Sequence, residues 1–278
     1  MKESNLREAL KGKLTDKEYK FLPSSYDIIG ILLVFSDFPK VLNKKEKLIA
    51  DEMLKLHPHV KTILKKTENF SGKYRLPKYK VIAGQKTKET LYKENNVRLK
   101  LDIEKIYFSP RLSTERKRIA SSVKKGEDIL VMFSGAAPYP LVISKNSKAK
   151  EIVGIELNPV AHKYGLENIA LNKISNVRLI KGDVRKVVPK LNKKFDRIAM
   201  PLPKGAENFL YLALGKIKRS GIIHFYTFSE EDKYDGIIRL IKEKCKKCGK
   251  SCKITKIVKC GAFSPKVFRI CFDIKVFY

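Results

Sequence analysis

Between residues 128 and 206 four short apolar runs each stop at a polar or Gly/Pro tip, and this alternation leaves the chain few folds to choose from. The first run, Ile129-Leu130-Val131-Met132-Phe133, turns through Ser134-Gly135-Ala136-Ala137-Pro138. The second, 152–155, ends at Glu156 and leads into Asn158-Pro159, a capping Asn followed by Pro at the first helical position. The third, 177–180, ends at Gly182-Asp183, and the fourth, 197–200, at Pro201-Leu202-Pro203-Lys204. Short apolar strands separated by amphipathic helices read as βαβ units, so the expectation is a doubly wound α/β domain with a mainly parallel sheet. Such sheets bind ligands at the carboxyl ends of their strands, where all four tips fall.

The tips themselves carry chemistry. A small residue after the first strand lets backbone approach a ligand closely. A carboxylate after the second, Glu156, suits the two hydroxyls of a ribose, and one after the third, Asp183, suits an exocyclic amine such as that of adenine. The first loop is not Gly-x-Gly-x-x-Gly and no Gly-Lys-Ser/Thr is present, which argues against a dinucleotide or a triphosphate. An adenosine with an amino-acid tail, S-adenosylmethionine, fits better. The competing reading of Glu156 and Asp183 is that they merely cap helices.

Charge points to the other partner. Lys and Arg number 60 against 29 Asp and Glu, a net charge of +31 spread along the chain and not confined to a tail. A polyanion such as nucleic acid answers that excess, and the bland alternative is a solvated Lys-rich surface. No apolar run approaches bilayer length and the amino terminus is charged, so the expectation is a cytoplasmic protein without membrane association. Cys245, Cys248 and Cys252 fall close together, with Cys260 and Cys271 further on. Cys-x2-Cys is zinc-like spacing, but a second ligand pair is missing, so reduced or locally bridged thiols are expected and no metal. His57 and His59 flank Pro58, His162 falls on an expected helix, and His224 sits in an apolar strand where a satisfied core role is expected.

Towards the amino terminus, residues 1–20 read as a charged helical lead-in and 26–35 as one strand around Gly30. A helix is expected from Asn43, with Ile49, Met53 and Leu56 on one face. Pro58 should break it, and Val60, Ile63 and Leu64 continue the stripe in a second piece. Residues 79–83 and 96–101 alternate as half-buried antiparallel strands, with turns at Ala83-Gly84 and Asn95-Asn96. This region reads as a small α+β module. After Ser109-Pro110 a helix is expected over 111–123, carrying Glu115 among arginines; on spacing alone, that carboxylate reads as an exposed salt bridge.

Taken in order, Tyr107-Phe108-Ser109-Pro110-Arg111-Leu112-Ser113-Thr114-Glu115-Arg116, Met132 to Tyr139, Ile155-Glu156-Leu157-Asn158-Pro159, Gly182-Asp183-Val184-Arg185, Met200 to Lys204 and Gly221 to Tyr226 resemble the archaeal and eukaryotic tRNA (guanine-N1)-methyltransferases. The match reaches back through Gly72 to Arg75 and Lys93-Glu94-Asn95 and forward to Phe263-Ser264-Pro265, covering roughly residue 20 to the end. The resemblance implies a Rossmann-like methyltransferase domain over 105–278, closing with a carboxyl-terminal antiparallel hairpin, and an RNA-binding module over 1–104. It implies S-adenosylmethionine as cofactor and the anticodon stem-loop of tRNA as partner, with guanosine 37 as target and the protein acting as a monomer.

The same resemblance implies roles. Glu156 and Asp183 would hold ribose and adenine, Phe133 and Gly135 line the pocket, and Tyr107 and Arg111 lie near the methionine end. Glu115 would be the general base and Arg75 a contact of the target guanine, with Pro201, Pro203 and Lys204 on the substrate side. Nitrogen 1 of guanine carries a proton at neutral pH, so a carboxylate must accept it, and an arginine can stabilise the charge left on the carbonyl oxygen. Val131, Ala137 and Pro201 depart from the family pattern, and the extra amino-terminal domain is expected to be lacking. Two related activities share the motifs, transfer of an aminocarboxypropyl group and carbon-7 methylation of a wyosine precursor. A tRNA-binding paralogue without catalysis is the alternative from a different class.

Overall fold

The structure, a computed structural model, describes residues 3–278, the side chains of 3–5 and 69–71 excepted. The chain divides into two compact units: Met1–Lys93 with Arg98–Pro110, and Glu94–Val97 with Arg111–Tyr278.

In the first unit, helices α1 (Glu3–Ala9) and α2 (Asp16–Lys20) replace the continuous lead-in expected for 1–20. They part at Gly12, whose φ of 73° ends the first, and Thr15 with Glu18 forms a reciprocal capping box that starts the second. The single strand expected over 26–35 is a hairpin instead, β1 (Asp27–Ile29) and β2 (Leu32–Phe35), with left-handed Gly30 in its turn. A Cβ at Gly30 would lie 2.1 Å from Thr90 Oγ1, which itself takes the Ile31 amide. The strand expectation failed because a continuous apolar run hides a two-residue reversal.

A 3-10 turn (Lys40–Lys45) precedes α3 (Glu46–Leu56), which buries Ile49, Ala50 and Met53 as its spacing predicts. The second helical piece beyond Pro58 does not exist; Ile63 and Leu64 belong to β3 (Thr62–Ser71). Apolar residues three apart satisfy either period over so short a stretch, and the parallel pairing of 62–65 with 32–35 decides for strand. Strand β4 (Leu76–Gly84) completes a sheet of order β1-β2-β3-β4. Strands β5 (Glu89–Glu94) and β6 (Val97–Asp102) form a separate hairpin whose turn residues, Asn95 and Asn96, both have positive φ. That geometry is the primed turn an Asn pair favours.

The second unit opens with α4 (Ser113–Ser122) and then alternates: β7 (Asp128–Met132), α5 (Pro138–Asn146), β8 (Glu151–Glu156), α6 (Pro159–Leu171), β9 (Val177–Lys181), α7 (Val184–Val187), β10 (Phe195–Met200), α8 (Leu210–Lys216), β11 (Ile217–Glu230). The chain closes with α9 (Asp235–Lys247), β12 (Ser251–Ala262) and β13 (Val267–Phe277). The sheet order is β12-β13-β11-β10-β7-β8-β9; the five strands from β9 to β11 are parallel, and β13 runs antiparallel to both neighbours. The expected doubly wound sheet with its carboxyl-terminal hairpin is therefore present. Its central strands are nearly continuous apolar runs because helices cover both faces, and Leu130, Met132, Val153, Ile155, Ile198 and Met200 sit in one buried core.

The strand order reverses between β7 and β10, which makes the loops after those strands the walls of a crevice.

Candidate active site

The loop after β7 is unusually bent. Phe133, Gly135 and Ala137 all have left-handed φ, of 63°, 57° and 67°. Only Gly takes that conformation without a steric cost of about 1–2 kcal/mol, so the loop is held from outside. Ser134 donates its amide to the Ile155 carbonyl at 2.8 Å, and Gly135 donates its amide to Glu156 Oε2 at 2.6 Å. The other oxygen of Glu156 accepts the Asn158 amide at 2.7 Å. Glu156 thus ties the tip of β8 to the loop after β7, while Asn158 caps α6 through the Val160 amide. Burial raises the Glu156 carboxyl above the ordinary glutamate value, against the lowering pull of the Asn158, Gly135 and Leu157 amides.

Asp183 caps α7 by accepting the Arg185 amide at 2.9 Å and pairs with the Arg185 guanidinium, Nη2 to Oδ2 at 2.6 Å. That pairing, first among the causes, holds its carboxyl below the usual aspartate value. Capping is therefore a structural fact for Asp183, and a ligand amine would share an oxygen with Arg185. Phe133 packs edge-on against Phe209, ring centres 5.1 Å apart. Beyond β10, Leu202 donates to the Met200 carbonyl at 2.7 Å, which turns Pro201 and Pro203 out of the strand, and Lys204 is exposed.

Glu115 is not the exposed salt bridge its spacing suggests. It is 4% accessible, on the first turn of α4. Arg118 donates Nε to Oε2 at 2.7 Å and Nη2 to Oε1 at 2.8 Å. The Tyr226 hydroxyl donates to Oε1 at 2.6 Å, and the nearby Cys260 thiol donates to the Val258 carbonyl. Tyr226 follows Phe225, which pairs with Met200, so Glu115 is fastened at the carboxyl ends of the strands. The network continues inward: Arg118 reaches Asp273 Oδ2 at 2.6 Å, Asp273 Oδ1 meets His224 Nδ1 at 2.6 Å, and His224 Nε2 lies 2.8 Å from Arg197 Nη1. A guanidinium only donates, so Nε2 accepts and Nδ1 carries the proton: His224 is neutral. Beside it, Arg116 and Glu94 form a second buried pair.

Of the other sequence-picked residues, Arg111 is exposed in the 3-10 turn (Pro110–Leu112) that precedes α4, and Arg75 and Tyr107 belong to the first unit. Arg75 has φ 52° in the turn between β3 and β4, its amide bonded to the Gly72 carbonyl, and Tyr107 is 37% exposed. Sequence reasoning missed Arg118, Tyr226 and Asp273. Only Arg118, one helical turn from Glu115, left a local signal.

The residues present suit an adenosyl group: a backbone loop pinned open by a carboxylate, and beneath it the buried Ser134 hydroxyl without a partner. A doubly wound sheet with an antiparallel strand beside its edge, a glycine loop at the order reversal and acidic second and third strand tips define the class I methyltransferases. Within that class the chain belongs to the TRM5/TYW2 methyltransferase family, whose domain matches residues 90–255; the TYW2 N-terminal domain matches 6–87. It is similar to the tRNA (guanine(37)-N(1))-methyltransferase Trm5b of Pyrococcus abyssi, 38% identical over 92% of this chain and 76% of that protein. It is also similar to the tRNA 4-demethylwyosine(37)-methyltransferase Taw21 of Saccharolobus solfataricus, 38% identical over 78% of this chain and 81% of that one. The solved complex of aTrm5 and tRNALeu matches with a TM-score of 0.86 at 30% identity, covering 99% of this chain and 79% of the other. Among the described residues no helix is long and apolar enough to cross a membrane.

Proposed function

We propose that the chain methylates nitrogen 1 of guanosine 37 in tRNA, using S-adenosylmethionine. The observation that carries the reading is the fastening of Glu115 by Arg118 and Tyr226 at the strand tips. An ionised carboxylate offers about four acceptor positions. Arg118 and Tyr226 donate to three of them, two on Oε1 and one on Oε2, which leaves the fourth on Oε2. That position takes the guanine N1 proton.

S-adenosylmethionine, when bound, supplies an electrophilic methyl on a sulfonium. Glu156 accepts from the ribose hydroxyls, Asp183 from the adenine amine, and Phe133 and Gly135 line the adenosyl pocket, with Tyr107 and Arg111 towards the methionine end. Glu115 removes the proton that makes guanine N1 a poor nucleophile. Arg75 stabilises the charge left on the guanine carbonyl. Pro201, Pro203 and Lys204 line the substrate side, and the target base leaves its stack to reach them. Residues 1–104 contribute to tRNA binding.

A second reading is methylation of the tricyclic 4-demethylwyosine, favoured by the equal identity to Taw21. Transfer of an aminocarboxypropyl group would leave the same proton acceptor in place. One experiment separates them: purified protein with S-adenosylmethionine and tRNA bearing guanosine, adenosine or 4-demethylwyosine at position 37, followed by digestion and mass spectrometry. The expected product is 1-methylguanosine from the first substrate alone. An unchanged guanosine, or an aminocarboxypropyl adduct, refutes the proposal.

A further inference from the structure

We infer that the groove between α9 and β12 is a second RNA-contact surface, holding phosphates of the tRNA backbone away from the nucleotide being modified. This rests on the tRNA substrate proposed above. Between residues 239 and 256, eight of eighteen side chains are Lys or Arg and a single one, Glu243, is acidic. None of the eight forms an ion pair among the described residues; the nearest pairs, Lys233 with Glu230 and Lys259 with Glu231, fall outside the stretch. Elsewhere in the same unit several cations are neutralised locally, as Lys193 is by Asp128 and Glu151, and Lys218 by Asp196 and Asp128. Uncompensated like charges repel one another, and a polyanion removes that cost while releasing its own counterions.

The surface has shape as well as charge. A groove of roughly 500 Å³ has Ile238, Ile254 and Ile257 among its lining residues, together with Lys242, Lys253 and Lys256. Lys242 projects from the helix and the other two from the outermost strand, so cations from two elements converge on one channel. Lysine ammoniums are mobile point charges that bind phosphate without reading sequence. Strand β12 lies three positions from β10, about 14 Å at the usual spacing between strands. An RNA with one nucleotide at the strand tips is therefore within reach of this edge.

Lysines also gather on membrane-binding helices and on guarded sheet edges, and neither role accounts for this groove. A membrane-binding helix would keep an apolar face outward, yet Ile241 and Cys245 are buried and Ile237, Ile238 and Leu240 pack on the core. Edge-strand lysines guard against pairing between copies, but that role does not require the helix to be basic too.

The test uses the full chain with alanine at Lys242, Lys253 and Lys256 together, and a second variant with Lys253→Glu and Lys256→Glu. Binding to unmodified full-length tRNA is measured across a salt series, with calorimetry of S-adenosylmethionine as the control for folding. The triple variant should lose roughly tenfold or more in tRNA affinity at ~0.1 M salt, and its log–log salt slope should flatten by about 2–3. The double charge reversal should lose more, and cofactor affinity should be unchanged in both. Unaltered tRNA affinity and slope in a variant that binds cofactor normally overturn the assignment. So does loss confined to anionic phosphatidylserine vesicles, or self-association without loss of RNA. If the wild-type chain itself leaves tRNA unmodified, the proposed activity fails separately, because binding and its salt slope are still read.

Discussion

Arg118 grips Glu115 through both carboxylate oxygens, at 2.7 and 2.8 Å, while its remaining nitrogen holds Asp273 at 2.6 Å. The guanidinium therefore fixes the orientation of a carboxylate that has almost no contact with water. Glu115→Gln keeps the shape but cannot accept a proton. It should lower turnover on tRNA by roughly 10²–10⁴-fold and leave S-adenosylmethionine affinity within about twofold. Single-turnover kinetics beside calorimetry reads both; equal losses would remove Glu115 from the proton-acceptor role.

The inner half of that network makes a pH prediction. Burial of Asp273 opposes its charge, but the bonds from His224 and Arg118 outweigh it and hold the carboxyl well below the usual range. Its stabilising contribution is complete above the unfolded value of ~3.9 and is lost as pH falls through the folded one. Burial lowers the pKa of His224, with Asp273 pulling the other way. Below about pH 6.5 the unfolded chain binds a proton there that the folded chain resists, so stability falls with pH from that point. Thermal melts should fall in Tm from about pH 6.5 downward, and His224→Asn should show a shallower slope in that window. Asp273→Asn should cost about 1.5–3 kcal/mol at pH 7, since Arg118 and His224 lose a charged acceptor while Glu115 still pairs with Arg118. A variant with the wild-type slope would show that His224 does not titrate with folding.

How far the sequence reveals these features depends on range. The four strand tips were legible because each is written within a few neighbouring residues, as in Glu156 followed by the Asn158-Pro159 cap. Strand β3 was not, because Val60, Ile63 and Leu64 satisfy a helical period as well, and only pairing with β2 settles it. The surroundings of Glu115 were least legible: Tyr226 lies 111 residues away, and Asp273 lies 155 from Arg118. No local pattern records a contact that the sheet order creates. The charge of 239–256 was visible in composition, but its gathering on one edge awaited the placement of α9 beside β12.

Glu156 should divide binding from chemistry in the opposite sense. Both of its oxygens accept backbone amides, so an amide side chain would turn a donor towards Gly135 or Asn158. Glu156→Gln should weaken S-adenosylmethionine roughly 10–100-fold, about 1.4–2.8 kcal/mol, with turnover at saturating cofactor little changed. Because burial raises its carboxyl, wild-type cofactor affinity should decline on acidification sooner than an exposed glutamate would predict. Calorimetry at several pH values checks this, and affinity that is flat through mildly acidic pH would exclude Glu156 as the ribose acceptor.

The cysteines are free thiols, and two of them are neighbours with unequal fates. Cys245 is buried on α9 beside Cys252 on β12; that neighbour, with Lys242 nearby, lowers the Cys252 thiol below its ordinary value while burial opposes it. The same partnership and burial push Cys245 far up. The thiolate is the nucleophile, so reactivity follows these shifts more than exposure. Iodoacetamide at pH 7 should alkylate half-buried Cys252 faster per accessible area than exposed Cys248, and leave Cys245 untouched until the protein unfolds. Lys242→Ala should raise the pH at which Cys252 reacts. Peptide mass spectrometry over a time course gives the three rates, and a Cys252 rate with an ordinary thiol midpoint of ~8.5 would show that Cys245 does not lower it.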